Sequence, residues 1–122
     1  MSIIKILLLV LLIYLPSIAF GQNMGGTGWM IKSEYGDKTI ILFEHDGTFT
    51  YLNVAHKSGN EGMVYSDDED TWHIEDNKVV LQYSRGYQIQ SFIMNNSGDY
   101  MSGMSINKKG KVKKVTGELI KF

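Results

Sequence analysis

A chain of 122 residues with 12 lysines and arginines against 13 aspartates and glutamates has a formal charge of −1. No global field therefore draws it toward nucleic acid or acidic lipid. It contains no cysteine, which excludes disulfides, thiol chemistry and a lipid-modified cysteine. Its one proline, Pro16, lies near the N-terminus, and nothing after it would interrupt a strand ladder.

Residues 1–21 have the order of a secretory signal: one early charge, Lys5, an apolar run from Ile6 to Leu15, then Pro16 and small residues. The run is shorter than the about 20 apolar residues a spanning helix needs. Cleavage is expected with Ala19 and Gly21 at the small-residue positions, leaving Gln22 first; a second cut, with Ser17 and Ala19 there, leaves Phe20 first. The expected product is exported, periplasmic or extracellular, and has no stable membrane insertion after the signal is removed. Losing Lys5 moves the charge from −1 to −2. About 100 residues remain, enough for one domain.

Residues 22–27 are glycine-rich and read as a flexible lead-in to a single domain, 28–122. Within that domain the first strand is expected over 28–35, with Gly36, Asp37 and Lys38 turning the chain. A second follows over 39–44, where the run Ile40, Ile41, Leu42, Phe43 suggests burial on both faces. His45, Asp46 and Gly47 make a hairpin turn into 48–55, which alternates Phe49 and Tyr51 with Thr48 and Thr50 in the period of a half-buried strand. A polar loop over 57–62 precedes a short fourth strand, 63–65, and an acidic turn, 66–70. From Asp70 to Ser105 the chain reads as a β-meander cut by Asp76-Asn77, Arg85-Gly86 and the 96–99 turn, with strands over 71–75, 78–84, 87–94 and 100–106. A last strand runs over 111–122.

Eight or nine short strands joined by near-neighbour turns point to an all-β, single up-and-down antiparallel barrel rather than a Greek-key sandwich. No helical period competes with that reading. The Gly28-Trp29 start, the 43–51 hairpin FEHDGTFTY, the 70–74 strand DTWHI and the closing 116–119 strand TGEL resemble small bacterial lipocalin-like proteins of the calycin group. The resemblance covers 28–122. It implies a barrel with an apolar interior and a tryptophan on the first strand, here Trp29, that plugs the closed end. It also implies a basic residue late in the chain packed over that tryptophan, a role open to Lys121 or Lys113.

No catalytic constellation stands out. His45, His56 and His73 lack metal-ligand spacing, no serine lies in a nucleophile elbow, and no glycine-rich loop leads into a helix. Four consecutive acids, Asp67 to Asp70, cannot all face one calcium ion and read as a solvated turn. Lys109, Lys111 and Lys113 share one face parity and read as a solvated basic stripe, without the interleaved aromatics that nucleic acid would require. Asn95-Asn96-Ser97 matches a glycosylation sequon but sits where turn chemistry is expected. The informative residues are the aromatics and methionines, among them Met30, Met63, Met94, Met101 and Met104, which fall on almost every strand. Eight strands enclose room for packed side chains or one small ligand. The expected function is a non-enzymatic binder of a small apolar or amphipathic ligand, with no cofactor and no metal. Its candidate lining is Trp29, Phe49, Tyr51, Trp72, Tyr83, Tyr87 and Met101. The alternative is an envelope-located inhibitor or immunity-type module that meets a protein partner through its loops. A hydrolase or isomerase is a third reading, and it would need His73 to point inward.

Overall fold

The computed structural model describes residues 24–55 and 61–121. The segment expected to be a signal, with its two expected cut sites, and residues 56–60, including His56, lie outside the described residues. Eight strands follow in chain order: β1 (Gly28–Ser33), β2 (Lys38–Phe43), β3 (Thr48–Ala55), β4 (Val64–Glu75), β5 (Lys78–Tyr83), β6 (Gln88–Met94), β7 (Tyr100–Asn107) and β8 (Val112–Ile120). Each pairs antiparallel with the next, and β8 pairs with β1 to close the barrel. The up-and-down barrel expected from the turn spacing is therefore the fold. Closure gives every strand a neighbour on both sides among the described residues, and so removes the free sheet edges that a chain without strand-breaking proline would otherwise expose.

The connections follow their sequences. Asp76 and Asn77 both hold positive φ, 49° and 63°, the left-handed pair that joins Glu75 to Lys78 in a two-residue hairpin. Asn95, the sequon residue, accepts N–H bonds from Asp99 and Tyr100 and donates to the Asp99 carboxylate at 3.0 Å, so its side chain builds the β6–β7 turn.

Two features depart from the sequence reading. The fourth and fifth expected strands are one 12-residue strand, β4, and the acidic segment between them does not reverse the chain. No residue there has positive φ. Acidic composition marks exposure, and without glycine or asparagine nothing turns the backbone. Instead the register slips, with Thr50 opposite Ser66 but Thr48 opposite Thr71, a large bulge on β4. That slip takes Asp70 inside the protein while Asp67, Asp68 and Glu69 stay exposed. The second departure is at Met24–Thr27, which forms a turn instead of a loose lead-in. Met24 is buried in the core, and the Gly26 N–H donates to the Phe43 carbonyl at 2.6 Å.

The period-2 alternation puts Trp29 and Ile31, Ile41 and Phe43, Phe49, Val79 and Leu81, Phe92, Met101 and Val115 in one continuous core. Trp72, Ile74, Met94 and Leu119 pack against it. Because residues three apart on a strand face opposite ways, burying Met101 leaves Met104 exposed; Met63 is exposed as well. Two glycines make room in this half. A Cβ at Gly103 would overlap the Ser91 carbonyl, and one at Gly117 would sit 2.9 Å from both Ile31 Cδ1 and Met101 Cε.

Candidate functional site

The barrel's two ends differ. At one end the Met24–Thr27 turn lies across the opening beside Trp29. The indole Nε1 donates to Thr27 Oγ1 at 2.9 Å, which in turn donates to the Met24 carbonyl at 2.6 Å. Trp29 thus closes this end, with Leu119 as its partner on β8. Neither lysine considered for a lock over the tryptophan is placed to act as one. Lys113 lies six residues back along β8 toward the other end, and Lys121 is exposed beyond the strand.

At the other end, among the connections β1–β2, β5–β6 and β7–β8, a cavity of about 690 Å³ opens to solvent. Its floor is Ile31, Val115 and Tyr83, the upper surface of the packed core. Above the floor the inward residues become polar. Gln90, Ser105 and Lys113 are successive register partners across β6, β7 and β8, so they stand side by side on one wall. Thr39 and Asn53 pair in the same way across β2 and β3, with Thr39 Oγ1 donating to Asn53 Oδ1 at 3.4 Å. Tyr51 and Tyr65 form a third wall, their rings stacked at 4.8 Å, and Tyr83 meets Tyr51 edge-on at 5.2 Å. Nearer the mouth come Gln88 opposite Asn107, then Lys111, Tyr35 and Asp37. Tyr87, 66% exposed, forms part of the lip.

Several of these polar groups are deeply buried. Asn53, Gln90 and Ser105 are 7%, 4% and 1% exposed. The Tyr83 hydroxyl donates to Gln90 Oε1 at 2.8 Å, which leaves the Gln90 amide nitrogen without a protein partner among the described residues; the Asn53 amide nitrogen and the Ser105 hydroxyl are in the same position. Among the described residues no buried side-chain polar atom is both sealed from solvent and unpartnered. These three groups therefore reach the cavity. Buried polar groups are satisfied by protein, water or ligand; here the protein leaves that role to whatever fills the cavity.

The bulge on β4 supports the site from behind. Asp70 Oδ1 accepts the Ser84 N–H at 2.8 Å and the Ser84 hydroxyl at 3.0 Å, fixing the start of the 3-10 turn Ser84–Gly86 that leads to Tyr87. Burial, then the Asp70 charge, then Tyr65 push the Tyr51 phenol up to about 12. Tyr83 is pushed up further, by burial first and then by Tyr51 and Asp70. Both phenols keep their protons at neutral pH and can donate.

Of the residues expected to line a ligand site, Tyr51, Tyr83 and Tyr87 border the cavity. Trp29, Phe49 and Met101 are fully buried in the packed half, and Trp72 lies there too, edge-on to Phe43 with its Nε1 donating to the Glu44 carbonyl. Sequence reasoning passed over Asn53, Gln90 and Ser105, and read the lysines as solvated. Lys111 and Lys113 do share a face, as their spacing requires, but it is the inner face, the one that carries Val115. The signal was present in the alternation: Asn53 follows Tyr51 by two, Gln90 precedes Phe92 by two, and Lys113 precedes Val115 by two. His73 is exposed on the outer face, 3.2 Å from the Glu75 carboxylate, so it cannot serve a reaction inside the barrel. Among the described residues no group of three or more His, Cys, Asp or Glu is placed to hold a metal ion.

No protein-family model matches the chain, and no curated protein does. A solved structure from Burkholderia vietnamiensis, described as a "putative beta-lactamase", is similar in fold: 12% identity, a TM-score of 0.55, covering 80% of this chain and 93% of that one. At that identity the likeness concerns the fold alone. Ser105 and Lys113 are cross-strand neighbours here, yet they share no hydrogen bond, and the Lys113 ammonium lies 3.8 Å from Asp37 instead.

Proposed function

We propose that this is an exported, lipocalin-like, non-enzymatic protein that binds a small amphipathic molecule in the open half of its barrel. The observation that carries the reading is the cavity of about 690 Å³, walled by tyrosines and by buried amides whose nitrogens have no protein partner among the described residues. A pocket of this size with an apolar floor and a few convergent polar groups is the usual form of a small-molecule site. Native mass spectrometry of the protein purified from its own secretory route tests it. A small molecule bound one to one is the expected result. A protein that is always empty, and that takes up nothing from a panel of amphipathic compounds, would end the proposal.

One observation favours a second reading, an interaction module. Ile89, Ile106 and Val112 are cross-strand neighbours on the outer face of β6, β7 and β8, and all three are exposed. An apolar row of this kind suits a protein partner. Affinity capture with the wild type against an I89S/I106S variant separates the two readings: a partner lost only by the variant supports the module.

A further inference from the structure

We propose that the molecule held in this cavity is an organic oxyanion, its negative group met by Lys111 and Lys113 and its other oxygens by the donors of the floor. The proposal rests on the ligand-binding reading above and names the ligand's chemistry. Three independent features of the cavity agree.

The first is an imbalance of donors over acceptors. Among the described residues the groups left without protein partners at depth are the Asn53 and Gln90 amide nitrogens and the Ser105 hydroxyl, while each amide oxygen already accepts one bond, from Thr39 and from Tyr83. Two of the three free groups can only donate, and the third can. A ligand that satisfies them must present acceptors. The tyrosines add to this, since Tyr51 keeps its proton well above neutrality.

The second is charge. Among the described lining residues Lys111 and Lys113 are the cations and Asp37 the one carboxylate, a local balance of +1. Two further acids act on Tyr51, and neither lines the cavity: Asp70 is committed to Ser84, and Asp67 is exposed and accepts the Glu69 N–H. Lys113 pairs with Asp37 only loosely, at 3.8 Å. Lys111 has no carboxylate partner among the described residues; its ammonium stands 5.3 Å from the centre of the Tyr35 ring. Two residues apart on one strand approach, both lysines face the same side.

The third is position. Lys113 is beside Ser105, which is beside Gln90, so a cation and two neutral donors form one continuous row across β8, β7 and β6. A ligand with its anionic group at the lysines reaches across the cavity toward the stacked rings of Tyr51 and Tyr65 on β3 and β4. Planar, oxygen-bearing bodies fit that surface.

Two dyes with one body test the charge directly. 1-Anilinonaphthalene-8-sulfonate and N-phenyl-1-naphthylamine differ only in the sulfonate, and both report binding by fluorescence. The sulfonate dye is expected to bind about ten-fold tighter or more at low ionic strength, the size of one charge-assisted contact. Added salt should shrink that advantage. The double variant K111Q/K113Q should weaken the sulfonate dye about five-fold or more while holding the neutral dye within about two-fold, and K111R/K113R should restore it. Circular dichroism of each variant confirms an intact barrel. Equal or tighter binding of the neutral dye overturns the proposal while leaving a ligand cavity in place. Sulfonate binding that ignores both substitutions also overturns it, since the dye then sits elsewhere. Failure of both dyes to bind counts against the cavity reading itself.

Discussion

The lower and upper halves of the barrel interior are built from the same eight strands and the same inward parity, yet they serve opposite ends. Below, each inward position carries an apolar side chain or a glycine that admits one: Phe43, Phe49, Phe92 and Met101 are fully buried, and Gly103 and Gly117 remove volume where strands and side chains approach. Above, the same strands continue with Asn53, Gln90, Ser105 and Lys113, and packing gives way to a cavity. On β3 the change takes two steps of the alternation, from Phe49 through Tyr51 to Asn53; on β8 it takes one, from Val115 to Lys113. The tyrosines straddle the boundary. Tyr83 touches Phe49 below at 4.9 Å and hydrogen-bonds Gln90 above. The lower half stabilises the fold, and the upper half keeps space and unspent donors at the expense of buried apolar area.

That division can be broken or sharpened by experiment. The largest effect is expected at Gly103. In G103V the new side chain collides with the Ser91 carbonyl, and a loss above about 4 kcal/mol, or no soluble folded protein, is expected on expression and thermal denaturation. F49A empties a fully buried site and should cost about 3–5 kcal/mol by denaturant unfolding. A cost below about 1 kcal/mol would mean that the lower half is not the packed core described here. Alkali probes the boundary. The folded protein holds the Tyr51 proton up to about 12, whereas an unfolded chain releases it near 10.0. The folded state therefore binds more protons in that window, and stability falls as pH rises through it; below it this contribution is fully present. Denaturation between about pH 9 and pH 12 should show that fall, and Y51F should make it shallower. The smallest effect belongs to Y83F. Losing one buried hydrogen bond to Gln90 should cost about 1 kcal/mol.

The strand framework was legible in the sequence. Residues 48–55 are β3 to the residue, and the closing strand and the Asp76-Asn77 hairpin follow from local pattern, whereas the Trp29 plug was expected only from the family resemblance. The long β4 was not, because its bulge is a register relation with β3, and a one-chain pattern shows composition but not what lies opposite. The cavity was half legible. Tyr51 and Tyr83 drew notice as aromatics, while Gln90 and Ser105 look like ordinary polar strand residues until the register places them beside Phe92 and Met101 on the inner face. For Lys111 and Lys113 parity was read correctly but the face was not, since a run of lysines at a hairpin is most often solvated.

The pairing of β1 with β8 also has a kinetic meaning. Seven of the eight ladders join strands adjacent in sequence, and each can zip up from its own turn. The eighth brings Gly28 to Ile120 and must close a loop spanning nearly the whole domain. That seam belongs late in folding, after the meander from β4 to β7 has formed. Until it closes, Trp29 and Val115 lack their shared interior, and the edges of β1 and β8 lie open to other chains. The cavity above and the plug below both include residues from these two strands, so both are complete only when the seam has shut.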